Sequence, residues 1–136
     1  MMNFLKLYGV GLVVCFFLDL LWLGVLAKDL YARHIGHLMR SDIRWSAGVL
    51  FYVLYVAAMV VFVVMPSLEK GSVLRAAGMG AFFGLAAYAA FDLTCLALFR
   101  DFPVAIALID LAWGATLTAI VSATAYGAGT FMGLRG

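Results

Sequence analysis

The stretch from Leu74 to Tyr126, LRAAGMGAFFGLAAYAAFDLTCLALFRDFPVAIALIDLAWGATLTAIVSATAY, decides the fold. It holds two apolar runs, Leu74 to Leu98 and Pro103 to Tyr126, parted only by Phe99 to Phe102. Each run is longer than the roughly 20 helical residues that cross a 30 Å hydrocarbon core. Backbone groups inside lipid must be hydrogen-bonded within the chain, and the sequence lacks the short alternating segments of a barrel, so each run is predicted to be a helix. So tight a turn makes the two helices antiparallel neighbours. Small residues at four-residue spacing, Ala76, Gly80 and Gly84, give the first of them a groove for close backbone packing.

Two further runs of the same kind precede this stretch, Phe4 to Ala27 and Trp45 to Met65. The fold class expected is therefore all-α, an integral membrane bundle of four transmembrane helices, with residues 1–136 forming one domain. Pro66 is expected to close the second helix, and Pro103 to sit in the first turn of the fourth, where its missing N–H removes no helical bond. Lys28 to Arg44 is the one sizeable loop. Residues 1–27 have the outline of a secretory signal, with Lys6 before an apolar run and Val25-Leu26-Ala27 as a cleavage site. The run is longer than the apolar part of such a signal and contains Asp19 and Trp22, so it is read as a retained span.

Composition agrees. Of the 136 residues 67% are hydrophobic and 12% charged, against about 25% charged in soluble domains, and the mean hydropathy is +1.12. The net charge of +2 is thinly spread, which excludes the clustered basic face that nucleic acid requires. Cys15 and Cys95 lie inside apolar runs and are expected to be buried as small hydrophobes. An inward N-terminus would put Lys6, Lys70, Arg75 and Arg135 in the cytoplasm and Lys28, Arg33, Arg40, Arg44 and Arg100 outside. The basic first loop tips this near-tie toward an outward N-terminus, with dual topology and antiparallel dimers as the minor alternative.

Three acids fall within the spans: Asp19 in the first, Asp92 in the third and Asp110 in the fourth. At 1.5 Å of rise per residue, all three come roughly 5 to 9 Å from the midplane on one side. An ionised Asp at the centre of a spanning helix costs about 2.5 to 3.5 kcal/mol, so the three are expected to face the bundle interior. Crowded together there, at least one should hold its proton at neutral pH. The helical stripes agree: Cys15, Asp19 and Trp22; Gly84, Tyr88, Asp92 and Cys95; Asp110, Gly114, Thr118, Ser122 and Tyr126; and, without an acid, Gly48, Tyr52, Tyr55 and Met59. The candidate proton, cation or ligand pocket comprises Asp19, Trp22, Tyr52, Tyr88, Asp92, Thr94, Asp110 and Trp113. The bland alternative is that each Asp bonds a Trp, Tyr, Ser or Thr across helices and fixes packing, at about 0.6 kcal/mol per bond.

Asp19-Leu20-Leu21-Trp22 echoes Asp110-Leu111-Ala112-Trp113 on helices that run oppositely, the outline of a weak inverted repeat. In the first loop, His34 and His37 could share a helical face, but no third ligand stands nearby and no metal is expected. The same loop offers Arg40 and Arg44 to an anionic headgroup or substrate above the acids. Trp45 and the tyrosines near span ends suit interface anchors.

The residues Asp19-Leu20-Leu21-Trp22-Leu23-Gly24, Tyr31 with Ile35-Gly36, Phe51-Tyr52, Ala87-Tyr88 with Asp92-Leu93-Thr94, and Asp110-Leu111-Ala112-Trp113-Gly114 cover nearly the whole chain. In them the sequence resembles a family of small bacterial inner-membrane proteins of unknown function with four spans. The family pattern carries Tyr-Asp-Leu-Thr-Asn in the third helix, where this chain has Phe91-Asp92-Leu93-Thr94-Cys95, so a phenol and an amide are missing here. The resemblance implies the fold and a multi-pass place in the inner membrane, and no activity.

The reading favoured by the residues is a carrier for a proton-coupled small solute or cation, working within the bilayer and, having only four helices, as a homo-oligomer. The alternatives are a membrane-embedded enzyme or binding protein acting on lipid, with one Asp as base and another as acid, and a structural or accessory subunit. No nucleophile motif or cofactor fingerprint is present, so no cofactor is expected and enzymatic activity stays open.

Overall fold

The structure, a computed structural model, describes residues 2–22, 45–100 and 102–133. Four helices account for nearly all of them. Helix α1 spans Met2–Leu21. Helix α2 runs from Trp45 to Lys70 in three joined parts, α-helical over Trp45–Met59, π-helical over Val60–Val64 and α-helical again over Met65–Lys70. Helix α3 spans Val73–Leu98 and α4 spans Val104–Phe131. Each is long and apolar enough to cross a membrane, and the chain is an all-α membrane protein with four such helices among the described residues. Residues 23–44, which carry His34, His37, Arg40, Arg44 and the end of the first expected span, lie outside the described residues.

Pro66 does not close the second helix. With no N–H to offer the carbonyl four residues back, it would break a regular α-helix. Here the preceding turn widens instead: the Met65 N–H bonds the Val60 carbonyl, five residues back, and Pro66 enters the first turn of the next α-helical segment. The helix therefore continues past Pro66. It ends at Gly71, whose φ of 63° is left-handed and suits glycine. Ser72 then caps α3, its Oγ accepting from the Arg75 N–H at 3.1 Å, and the Arg75 guanidinium reaches back to Ser67 Oγ at 3.2 Å. Pro103 is the residue just before α4, not part of its first turn. Helix α4 also outlasts its expected end at Tyr126, because glycine at 129 is packing: a Cβ there would come within 3.0 Å of Leu7 and Leu68 side chains.

The α3–α4 hairpin is the most extensive contact in the fold, and α1 packs mainly on α4. The groove expected on α3 is where the hairpin closes. A Cβ on Gly84 would overlap the Gly114 carbonyl and the Thr118 side chain, and a Cβ on Gly114 would overlap the Tyr88 ring. The π segment of α2 touches the other three helices and buries Val60, Val63 and Val64 among Leu7, Met59, Leu117 and Val121. The outer surface is apolar in every direction, with Phe16, Leu54, Phe62, Phe82 and Leu108 more than half exposed. In water that surface would be untenable; in lipid it is the expected exterior.

Candidate intramembrane acidic site

Helix α1 brings Asp19 to α4 and α2. Its Oδ1 accepts from the Trp113 indole N–H at 3.1 Å, and its Oδ2 accepts from the Tyr52 hydroxyl. The Trp113 ring stacks on Trp22, centroids 4.5 Å apart and planes within 8°. The two Asp-Leu-x-Trp segments therefore meet across the antiparallel α1–α4 contact, the tryptophan of each stacked on that of the other. Both oxygens of Asp19 thus have a neutral donor, the arrangement that holds a carboxylate in an apolar interior.

Asp92 is different. It has no accessible surface, and among the described residues neither of its carboxyl oxygens has a hydrogen-bond donor. The group it faces is another acid, the Asp110 carboxyl of α4. Two ionised carboxylates can only accept, so a bond between them requires a proton on one. Asp110 also lies close enough to Asp19 for the two to act on each other electrostatically. Asp110 and Trp113 are three residues apart, about 4.5 Å along the axis, so Asp110 lies about one turn from the Asp19–Trp113 contact.

Around them stand aromatic and hydroxyl groups. Tyr55, buried, bonds Thr118, whose hydroxyl donates to the Gly114 carbonyl at 2.8 Å. Tyr88 sits over Gly114 and meets Tyr55 edge-on, centroids 6.3 Å apart. A cavity of about 310 Å³ opens beside the acids, lined by Phe51, Ala87, Tyr88, Phe91 and Asp110. Phe51 and Phe91 are 49% and 59% exposed at its rim.

The eight residues expected at the site do not all share it. Asp19, Trp22, Tyr52 and Trp113 form one cluster, and Asp92, Asp110 and Tyr88 stand beside it. Thr94 is exposed on the outside of α3, because two residues from Asp92 is about 200° around a helix. Arg40 and Arg44 fall outside the described residues. The pairing of Tyr55 with Thr118, and the cavity walls Phe51, Ala87 and Phe91, were missing from the expected set. Cys15 and Cys95 are both buried and free, and among the described residues no three His, Cys, Asp or Glu gather to hold a metal.

A family of predicted membrane proteins, DUF2177, matches residues 4–127. The chain belongs to this family. The DUF2177 match spans all four helices and includes every residue of the acidic site, and the family carries no assigned activity in its description. No curated protein and no solved structure matches the chain.

Proposed function

We propose that this protein is a proton-coupled carrier for a small solute or cation, with Asp92 and Asp110 sharing the exchangeable proton and Asp19 as the fixed acid beside them. The observation that carries the reading is the buried Asp92 carboxyl, which has no hydrogen-bond donor among the described residues and stands beside the Asp110 carboxyl. A proton between the two is what would satisfy it, and the adjacent cavity gives a ligand access to Asp110. Acids buried at this depth mark ion or proton pathways more often than not. Four helices enclose little volume, so we assign the working unit as a homo-oligomer in the inner membrane. A second reading, action on a lipid, draws on the cavity rim, where exposed Phe51 and Phe91 would meet acyl chains.

Difference infrared spectroscopy of the protein in nanodiscs tests the carrier reading. Asp92 and Asp110 should titrate as a pair, so Asp92→Asn displaces the Asp110 band and the reverse, while Asp19→Asn displaces either band less. Independent titration of the two would remove the shared proton and with it the carrier. A changed lipid profile on deletion, with no pH-driven solute movement in proteoliposomes, would favour the lipid reading.

A further inference from the structure

We infer that the π turn of α2 is a positioning element of the acidic site: the one extra residue it takes up holds Tyr52 on Asp19 and Tyr55 on Thr118 while the other end of the helix stays packed. Helix α2 has partners to meet at both ends. On its first part, the Tyr52 hydroxyl donates to Asp19, and Tyr55 bonds Thr118. On its last part, Ser67 accepts from the Arg75 guanidinium, and the Leu68 side chain reaches the backbone at Gly129. The bundle closes only if these side chains leave the helix on one side.

A regular α-helix cannot do this over that length. The buried residues of α2 come in pairs four apart: Tyr55 with Val56, Met59 with Val60, Val63 with Val64, and Ser67 with Leu68. An α turn takes about 3.6 residues, so a face repeating every fourth residue drifts by about 40° per repeat, and by about 120° over the three repeats from Tyr55 to Ser67. The π turn lies inside this stretch and removes the drift. Its bond from the Met65 N–H to the Val60 carbonyl spans five residues where an α bond spans four. One residue, worth about 100° of rotation, is thereby taken up, and the two ends of the buried face come within about 20° of each other. Val61 and Phe62, in the same turn, stay on the lipid side, 45% and 66% exposed.

In a continuous α-helix of the same length, with Ser67 and Leu68 held in place, Tyr52 and Tyr55 would swing about 100° away from their partners. Asp19 would lose one of its two donors and keep the Trp113 indole. Pro66 is not what sets the face, since a proline removes one α bond locally, whereas the four-residue spacing runs from Tyr55 to Leu68. The number of residues between Tyr55 and Ser67 fixes it.

The test changes the residue count and reads the Tyr52–Asp19 bond. In nanodiscs, the infrared band of Asp19 is identified by its loss in Asp19→Asn, and its displacement by Tyr52→Phe reports whether the phenol reaches it. The parent is Pro66→Ala, which lets the helix run through as α. Deleting Val61 from that parent should convert the π turn to an α turn and keep the face, so Tyr52→Phe displaces the Asp19 band as far as it does in the parent. An alanine inserted between Val61 and Phe62 adds about 100° that the existing turn does not absorb; the Tyr52→Phe displacement should vanish, or the protein should fail to fold. Loss of the displacement in the deletion variant would overturn the inference, because the deletion would then have rotated Tyr52 off Asp19. Failure of the deletion variant to fold would overturn it too, as would an undiminished displacement in the insertion variant. The outcome is separate from the carrier reading: independent titration of Asp92 and Asp110 removes the carrier and leaves the Tyr52 response unchanged.

Discussion

Gly84→Ala puts one methyl group where α3 and α4 are closest. Its Cβ would overlap the Gly114 carbonyl oxygen and the Thr118 side chain. Neither can turn aside: the first is backbone, and the Thr118 hydroxyl is held between the Gly114 carbonyl and Tyr55. The helices must separate, at the upper end of the 1–3 kcal/mol that overpacking costs, about 3 kcal/mol. Alanine regains about 1 kcal/mol by helix propensity, leaving a net loss of about 2 kcal/mol, or roughly 30-fold in the unfolding equilibrium at 1.4 kcal/mol per tenfold. Gly78→Ala on the same helix is the control, since a Cβ there meets nothing within 4 Å and only the propensity gain applies. The two variants should differ by about 3 kcal/mol in reversible unfolding from mixed micelles. The same wedge bears on the site, because Asp92 is about two turns along α3 from Gly84 and Asp110 about one turn along α4 from Gly114. Gly84→Ala should therefore also weaken the coupling between the two acids in the infrared titration. Equal stability of Gly84→Ala and Gly78→Ala would refute the close approach and the placement built on it.

Tyr52→Phe and Trp113→Phe each remove one donor from Asp19 and should cost about 1 kcal/mol apiece in the same unfolding assay. Adding Asp19→Asn to either should yield a coupling of about 0.6 to 1.7 kcal/mol in a double-mutant cycle; a coupling near zero would dissolve the cluster. Asp92→Asn should leave stability within about 1 kcal/mol of wild type while abolishing the pH dependence of solute movement in proteoliposomes, whereas a purely structural Asp92 would lose stability and keep that dependence. Pro66→Ala should change stability by less than about 1 kcal/mol, because the π turn has already removed the conflict that makes proline costly by about 3 kcal/mol inside a helix; a large gain would mean that Pro66 is still strained.

The four helices were legible because they depend only on apolar run length, and the proximity of Asp110 to Asp19 and Asp92 agrees with what a fixed rise per residue led one to expect. The stripe carrying Asp110, Gly114, Thr118 and Ser122 foretold an inward face, and Trp113 drew attention through its echo of Trp22. Thr94 failed for a reason that the helical wheel already contains: it travels with Asp92 in sequence and points away from it in space. Phe51, Ala87 and Phe91 were invisible as cavity walls, since an apolar residue in an apolar span carries no signal of what it lines. Pro66 gave a true signal of local conflict, but a terminus and a π turn resolve that conflict equally well in sequence. Only the packing of Val60, Val63 and Val64 against the other three helices decides for the second.

The three acids answer to different surroundings, and the proposed proton coupling rests on that difference. Asp19 has a donor on each oxygen, so its charge is met by fixed dipoles whatever else occupies the site. Asp92 has none among the described residues, and the proposed proton shared with Asp110 is what would satisfy it. A carrier needs two occupied states of similar electrostatic cost, because an intermediate with an extra buried charge would be disfavoured by several kcal/mol. The proposed carrier would meet that requirement with one carboxyl held by fixed donors and a neighbouring pair sharing an exchangeable proton.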